Sequence, residues 1–262
     1  MLKKRIIPRI LVNHTNNESS TGNKNFACVT RNFSRSFVTG DPFSQAMIFD
    51  SNLADEIAVV GLNINNSLDW SIFKTTLAKI TARVSTPLVA GGGIKNLRQA
   101  QEIMELGVEK LCISYKLDKD YLNLVSSIAE RYGSQAVQIS LDYSTVSDDY
   151  RLHGNSNYPV IENLERLLLD LQSSGMGEVV FTSIDCDGGK KGMELSLFQL
   201  AKKHLSVPAL IAGGALSPKD FEEALMCGAD GVISGTYFAK RDQNPMQLKA
   251  RLATLGIPVR KM

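Results

Sequence analysis

The sequence contains an internal repeat, and this repeat constrains the fold more than any other feature. The segment PLVAGGGIKNLRQAQEIMELGVEKLCIS begins at Pro87, and the segment PALIAGGALSPKDFEEALMCGADGVISG begins at Pro208. When the two prolines are aligned, Gly92 falls on Gly213. Each copy has an apolar run, a glycine turn, an amphipathic segment and a second apolar run, which indicates two strands joined by a helix. The chain therefore has two related halves.

Short apolar runs alternate with helical patterns along most of the chain. Eight runs are candidate strands: 6–12, 56–62, 86–92, 110–114, 136–142, 178–185, 208–214 and 231–235. Amphipathic segments such as 96–107 and 217–228 lie between them. Alternating strands and helices form parallel sheets, and eight such units suit a chain of 262 residues. We therefore expect the α/β class, with one (βα)8 TIM barrel domain over residues 1–262 made of two half-barrels.

Composition excludes several classes of function. The net charge of +2 is too small to predict binding to nucleic acid or to an anionic membrane surface. The apolar start is broken by Pro8 and Arg9, so no signal peptide is expected, and no apolar run has the length of a membrane span. The 4 cysteines and 3 histidines are dispersed, so neither a metal site nor a disulfide framework is expected. We expect a cytoplasmic protein without a cofactor.

Glycines follow a strand in both halves, as AGGG at 90–93 and AGG at 212–214. Backbone N–H groups can approach a phosphate where side chains are absent, and the start of a following helix favours the anion. Tight turns alone are the alternative explanation. Two sites at one barrel mouth would suit a ligand with a phosphate at each end. The candidate phosphate-binding residues are Gly92, Gly93, Ser114, Gly213, Gly214, Gly235 and Thr236.

Several motifs occur in the order of one known family. They are RII near the start, GDP at 40–42, ADE at 54–56, AGGGI at 90–94, Asp142, the segment 177–192, AGGA at 212–215 and ISGTYF at 233–238. In these motifs the chain resembles the cyclase subunit of imidazole glycerol phosphate synthase. The resemblance implies a two-fold repeated barrel that receives ammonia from a separate glutaminase subunit. It also implies a reaction that splits an open-chain ribulosyl nucleotide with two phosphates.

The catalytic carboxylates of that family are only half present. The family places a general acid and a general base, both aspartates, at the ends of strands 1 and 5. The strand-5 position is Asp142, but the strand-1 position is Leu11, which cannot move a proton. Asn13 and Asp41 are the alternative residues for this role, although neither occupies the matching position. The resemblance further assigns substrate contacts to His153, Thr182, Asp187 and Gly188.

Other departures lie in the first half of the chain. A polar insertion, HTNNESSTGNKN at 14–25, replaces a shorter substrate loop. Val29 stands where the family has a lysine, and Gly61 stands where it has another aspartate. Tyr115 replaces a small hydroxyl residue after strand 4. The mouth of the first half-barrel is therefore expected to differ most from the family.

The opposite end of the barrel matches the family at four positions. The family surrounds its ammonia entrance with an arginine, a lysine and two glutamates, and the matching residues are Arg5, Glu56, Lys110 and Glu178. Four charges at strand starts are also compatible with a solvated salt-bridge ring. With the resemblance, we interpret them as an ammonia gate and expect a glutaminase to bind this face as a heterodimer.

Three functions are compatible with the sequence. The favoured one is a divergent paralogue that keeps the ammonia route and serves amination of a sugar in surface polysaccharide biosynthesis, because strand 1 reads PRILV as in such relatives. The second is the histidine-biosynthesis lyase, which forms imidazole glycerol phosphate and aminoimidazole carboxamide ribotide. The third is a non-catalytic scaffold that activates its glutaminase. The first two require a phosphorylated small-molecule ligand, whereas the third does not.

Overall fold

The fold is a closed barrel of eight parallel strands surrounded by helices. The computed structural model describes residues 3–15, 24–116, 119–153, 159–189, 191–240 and 243–260. The barrel strands are β1 (Arg5–Thr15), β4 (Ile57–Gly61), β5 (Leu88–Gly91), β6 (Lys110–Ser114), β7 (Val137–Val146), β9 (Glu178–Ser183), β10 (Ala209–Ala212) and β11 (Gly231–Ser234). They pair in this order, and β11 pairs with β1 to close the sheet. The predicted (βα)8 barrel is confirmed.

Helices cover the outer face of the barrel. They are α1 (Pro42–Ser51), α2 (Ser67–Thr81), α3 (Leu97–Met104), α4 (Lys119–Tyr132), α5 (Leu164–Ser173), α6 (Ser196–Lys202), α7 (Pro218–Met226), α8 (Thr236–Lys240) and α9 (Pro245–Thr254). A short 3-10 turn, Ser134–Ala136, leads into β7. In the described part of the chain, no helix is long and apolar enough to cross a membrane.

The internal repeat is visible in the element bounds. In the first half, β5 and β6 enclose α3, and in the second half β10 and β11 enclose α7. The starts of β5 and β10 are separated by the same number of positions as Pro87 and Pro208, and so are the starts of β6 and β11. The two copies therefore form equivalent βαβ units of the barrel, as the repeat predicts.

Side chains of β1 alternate between the two faces of the barrel wall. Ile6, Ile10 and Val12 are buried in the core between the strands and the helices. Ile7 belongs to a smaller apolar cluster with residues of β4, β5, β9, β10 and β11, which fills the barrel interior. Because successive strand residues point to opposite faces, Leu11 shares the interior face with Ile7. Parallel strands covered on both faces explain the continuous apolar runs in the sequence.

Two hairpins extend the barrel beyond the predicted strands. β2 (Lys24–Arg31) and β3 (Arg35–Gly40) form an antiparallel hairpin that continues from β1. β8 (Asp149–Leu152) pairs with the extended end of β7. The polar insertion at 14–25 thus begins and ends in paired strands, and its central residues 16–23 lie outside the described part. Neither hairpin was predicted from the sequence, because β3 is almost wholly exposed and β8 has only four residues, so neither gives a clear apolar pattern.

Candidate functional site

A cavity of about 320 Å³ lies inside the barrel and reaches its carboxyl-terminal mouth. Parallel strands place their carboxyl ends at one mouth, which is where barrels of this class build their sites. Leu11, Asn13, Gly92, Ser114, Asp142 and Thr182 line this central cavity together with Arg9, Thr30, Gln138 and Ser140. Gly61 lines it as well, so the structure brings seven residues singled out from the sequence to one place and adds others that were not.

Asp142 lies on β7 and faces the central cavity. Its Oδ1 accepts a hydrogen bond of 2.7 Å from the hydroxyl of Ser140. Burial raises the pKa of Asp142, while the Ser140 hydrogen bond, Arg9 and Thr182 act in the opposite direction. A carboxyl group with a raised pKa keeps its proton to a higher pH and can act as a general acid. The proton-transfer role expected for Asp142 is therefore chemically consistent with its surroundings.

Leu11 lies across the barrel from Asp142. Three strands separate β1 from β7 in either direction around the sheet. Leu11 is buried and contributes an apolar side chain to the cavity wall. Asn13 is at the rim, where its Oδ1 is 3.3 Å from Nδ2 of Asn63. Asp41 lies elsewhere, because its carboxylate caps α1 by accepting from the backbone N–H of Ser44 at 2.7 Å.

The second-half glycines meet in one small pocket beside the central cavity. Its wall includes Asp187, Gly188, Gly213, Gly214, Gly235 and Thr236. Gly213 and Gly214 have φ of +88° and +91°, which side-chain-bearing residues rarely adopt. A Cβ on Gly214 would lie 2.1 Å from the carbonyl oxygen of Gly192, so this turn also needs glycine for space. We call this group the glycine pocket.

The first-half glycines are arranged differently. Gly92 and Ser114 line the central cavity, but Gly93 lies in a separate surface groove next to Ile64. Gly92 and Gly93 were expected to form one site, whereas here they face different spaces. Tyr115, which follows Ser114, turns to the helix side and packs edge-on against Tyr121 with ring centroids 5.3 Å apart.

Arg9 links the glycine pocket to the central cavity, although the sequence did not single it out as a site residue. It lines both spaces. Its Nη2 is 3.2 Å from Oδ1 of Asp187, and Oδ2 of Asp187 accepts from the hydroxyl of Thr30 at 2.5 Å. The carboxylate predicted to contact substrate is therefore already held by β1 and by the β2–β3 hairpin. The period-two pattern of β1 could have revealed Arg9, since it shares a face with Leu11.

The four charged residues from the sequence analysis converge at the amino-terminal end of the barrel. Nη1 of Arg5 is 2.7 Å from Oε1 of Glu56 and 2.8 Å from Oε1 of Glu178. Nζ of Lys110 is 2.9 Å and 3.2 Å from the same two oxygens. Burial lowers the pKa of Arg5, but Glu178 and Glu56 raise it more, so the guanidinium stays charged. We call these four residues the charged ring.

Gln138 connects the charged ring to the central cavity. Its Nε2 donates to Oε2 of Glu178 at 3.1 Å, and the same side chain lines the cavity. The Oε1 atom of Gln138 is buried and has no hydrogen-bond partner among the described residues. One side chain thus touches both features, which the sequence analysis did not foresee.

His153 is linked to Asp142 by a backbone hydrogen bond. The backbone N–H of His153 donates to the carbonyl oxygen of Asp142 at 2.7 Å, and the ring Nε2 is 3.0 Å from the hydroxyl of Ser144. Burial lowers the pKa of His153, which favours the neutral ring at neutral pH. Within the described ranges, no cluster of three or more His, Cys, Asp or Glu residues is arranged to hold a metal ion.

Comparisons with known proteins agree with this architecture. A model of the histidine biosynthesis protein family matches residues 6–244. A protein of Prochlorococcus marinus, provisionally named imidazole glycerol phosphate synthase subunit hisF2, is 35% identical over 263 residues, with 99% of each chain covered. A protein of Campylobacter jejuni with the same provisional name is 31% identical over 260 residues, again with 99% of each chain covered. The imidazole glycerol phosphate synthase subunit HisF of Chlorobium phaeobacteroides is 32% identical over 266 residues, covering 99% of this chain and 100% of its own.

Proposed function

The chain belongs to the histidine biosynthesis protein family, and from this premise we propose that it takes ammonia from a partner glutaminase and delivers it through its barrel to an amination reaction. The observation that carries the proposal is the alignment of three features along the barrel. The charged ring lies at the amino-terminal end, Gln138 follows it, and the central cavity opens at the other mouth. A small neutral molecule is the kind of ligand that suits this path.

The charged ring supports an entrance that opens only on demand. The side chains of Glu56 and Glu178 are 9% and 4% exposed, and each contacts both cations. Ions placed this deep lose hydration, so a fold keeps them only when they are well paired or when they serve a function. Opposite charges in contact across the barrel axis close the entrance to the barrel. Movement of the Lys110 side chain away from the axis would break two of these contacts, those with Glu56 and Glu178.

The mouth of the barrel supports an amination that differs from the cyclase reaction. Leu11 faces Asp142 across the cavity, where the related enzymes are expected to have a second carboxylate. Loss of a positioned acid or base typically lowers a rate by about 10²–10⁴-fold. We therefore propose that ammonia is used in amination of a sugar for surface polysaccharide, the function favoured by the PRILV strand. Similarity to proteins provisionally named hisF2 supports only the coarser statement that the chain is a divergent paralogue.

The histidine-biosynthesis lyase remains the second candidate. Asp142 keeps the protonation behaviour of a general acid, and the glycine pocket keeps the glycines that a phosphate site needs. An ammonia-dependent lyase assay with the bisphosphate substrate distinguishes the two candidates. Robust turnover by the unmodified barrel would favour the lyase, and turnover near background would favour the divergent amination.

The proposed partner can be tested by mixing. We propose that a glutaminase subunit binds the amino-terminal face as a one-to-one heterodimer, burying about 1,200–2,000 Å². Glu109→Arg changes an exposed charge beside Lys110 on this face, and Lys240→Glu is the matched control at the opposite mouth. Glu109→Arg should weaken binding and glutaminase stimulation, whereas Lys240→Glu should change neither. The proposal fails if the glutaminase does not bind the unmodified barrel or does not change its glutamine turnover on mixing.

A further inference from the structure

Arg9 is a buried cation with unused hydrogen-bond donors. Its side chain is 13% exposed and lies inside the barrel. Its Nη2 donates to Asp187, but its Nε–H is buried and has no acceptor among the residues that the structure describes. Buried donors are costly to leave unpaired, and each such group calls for an explanation. A guanidinium offers five N–H groups, so the ion pair with Asp187 leaves most of its donor capacity free.

The surroundings of Arg9 hold it in place without using up its donors. Asp187 is itself fixed by the hydroxyl of Thr30, and the backbone N–H of Asn32 donates to the carbonyl oxygen of Asp187 at 3.0 Å. Gly235 lies against the backbone of Arg9, since a Cβ there would be 3.2 Å from the Arg9 carbonyl oxygen. The ion pair with Asp187 therefore restrains one edge of the guanidinium, which lowers the side-chain entropy that remains to be lost when a ligand binds.

The central cavity next to Arg9 has two unlike walls. Ser140, Asp142 and Thr182 form a polar wall on β7 and β9, whereas Leu11 and Val60 form an apolar wall on β1 and β4. At about 320 Å³ the cavity lies at the small end of the range for ligand sites, roughly 300–1,000 Å³. A ligand here would be small and would carry hydroxyl or carbonyl groups on one side.

We propose that Arg9 is an oxyanion-binding residue that receives a carboxylate or phosphate group of a small polar ligand inside the central cavity. The planar fork of a guanidinium matches both groups by paired N–H···O hydrogen bonds. This site differs from the glycine pocket, where backbone N–H groups would meet a phosphate. It also does not depend on the proposed ammonia route, because it requires no glutaminase.

The test uses the Nε–H signal of Arg9 in ¹H–¹⁵N NMR spectra of the full chain, identified by its absence from Arg9→Lys. Acetate and inorganic phosphate are titrated separately, and sodium chloride at matched ionic strength is the reference for screening. We expect a saturable shift of this signal with at least one anion. Affinity measured by calorimetry should fall about tenfold or more in Arg9→Lys, which keeps the charge beside Asp187 but loses the fork. Arg83→Lys, a change at an exposed arginine, should leave the affinity unaltered.

Each outcome has a defined meaning. Saturation by acetate alone supports a carboxylate ligand, and saturation by phosphate alone supports a phosphorylated one. The proposal is overturned if the signal responds only as it does to chloride. It is also overturned if Arg9→Lys binds both anions as tightly as the unmodified chain, since the glycine pocket would then account for the binding. If Arg9→Lys does not fold, the same titration of Gly214→Ala decides, because this change is expected to remove phosphate binding at the glycine pocket, which Arg9 also lines. A saturable shift in Gly214→Ala supports the proposal, and a response equal to that of chloride overturns it.

Discussion

Replacing Lys110 by methionine tests whether the charged ring is a buried network or a solvated surface cluster. The change keeps the length of the side chain and removes its ammonium group. Lys110 donates to Glu56 at 2.9 Å and to Glu178 at 3.2 Å, and its own side chain is 19% exposed. Arg5 still contacts both carboxylates, so neither is left alone.

The expected cost follows from these contacts. A hydrogen bond to a charged group contributes about 1.5–3 kcal/mol, and breaking a buried ion pair outright costs about 3–5 kcal/mol. Because Arg5 compensates part of the loss, we expect Lys110→Met to lower the free energy of unfolding by about 2–3 kcal/mol. The control is Lys4→Met, since Lys4 is on the same face and makes one contact of 3.3 Å with Asp230, whose side chain is 35% exposed. Lys4 is 16% exposed, about as much as Lys110, so the two lysines differ chiefly in their partners. A single contact with a carboxylate that is one third exposed contributes about 0–1 kcal/mol.

Urea unfolding of both variants at neutral pH measures the difference. A midpoint shift for Lys110→Met with an unchanged slope would report stability alone. If the two variants lost the same small amount, the ring would be energetically equivalent to a surface salt bridge, and the argument for a closed entrance would be refuted. Added salt should reduce the effect of Lys4→Met more than that of Lys110→Met, because buried pairs are screened less.

Three further changes probe the mouth of the barrel. Leu11→Asp should raise the ammonia-dependent lyase activity by up to about 10²–10⁴-fold over the unmodified protein, whereas Leu11→Asn, with similar shape and no acid, should not. Asp142→Asn should be more stable than the unmodified protein at pH 7 but not at pH 3. Burial raises the pKa of Asp142 above its ordinary value of 3.8. The protonated side chain therefore stabilises the fold fully below pH 3.8, and this stabilisation is lost as the pH rises through the folded-state pKa. The prediction fails if Asp142→Asn and the unmodified protein have the same unfolding midpoint at both pH values. Gly214→Ala should abolish phosphate binding at the glycine pocket in calorimetry. Gly107→Ala is its control, because Gly107 has the same φ of +91° and no atom lies within 4 Å of the added Cβ. This change should lower the free energy of unfolding by only about 1–2 kcal/mol.

Local periodicity and the internal repeat determined the barrel from the sequence alone. The eight apolar runs became the eight parallel strands, because a strand covered on both faces must be apolar throughout. The glycines after β5 and β10 marked turns with positive φ, since only glycine adopts them at low cost. Leu11 and Asp142 were placed on the first and fifth barrel strands correctly, but not at the strand ends, because β1 continues to Thr15 and β7 to Val146 in the two hairpins.

Closure of the barrel decided which of these residues meet. Arg9 and Asp187 come from β1 and from the loop after β9, and nothing in either segment indicates their ion pair. In the sequence Gln138 is one polar residue in an apolar run, and the register between β7 and β9 places it beside Glu178. Asp41, which was considered as a substitute for the missing carboxylate, instead caps a helix outside the barrel. Sequence patterns are local and fix faces and turns, whereas pairings across the barrel depend on strand order and register, which only the closed tertiary structure defines.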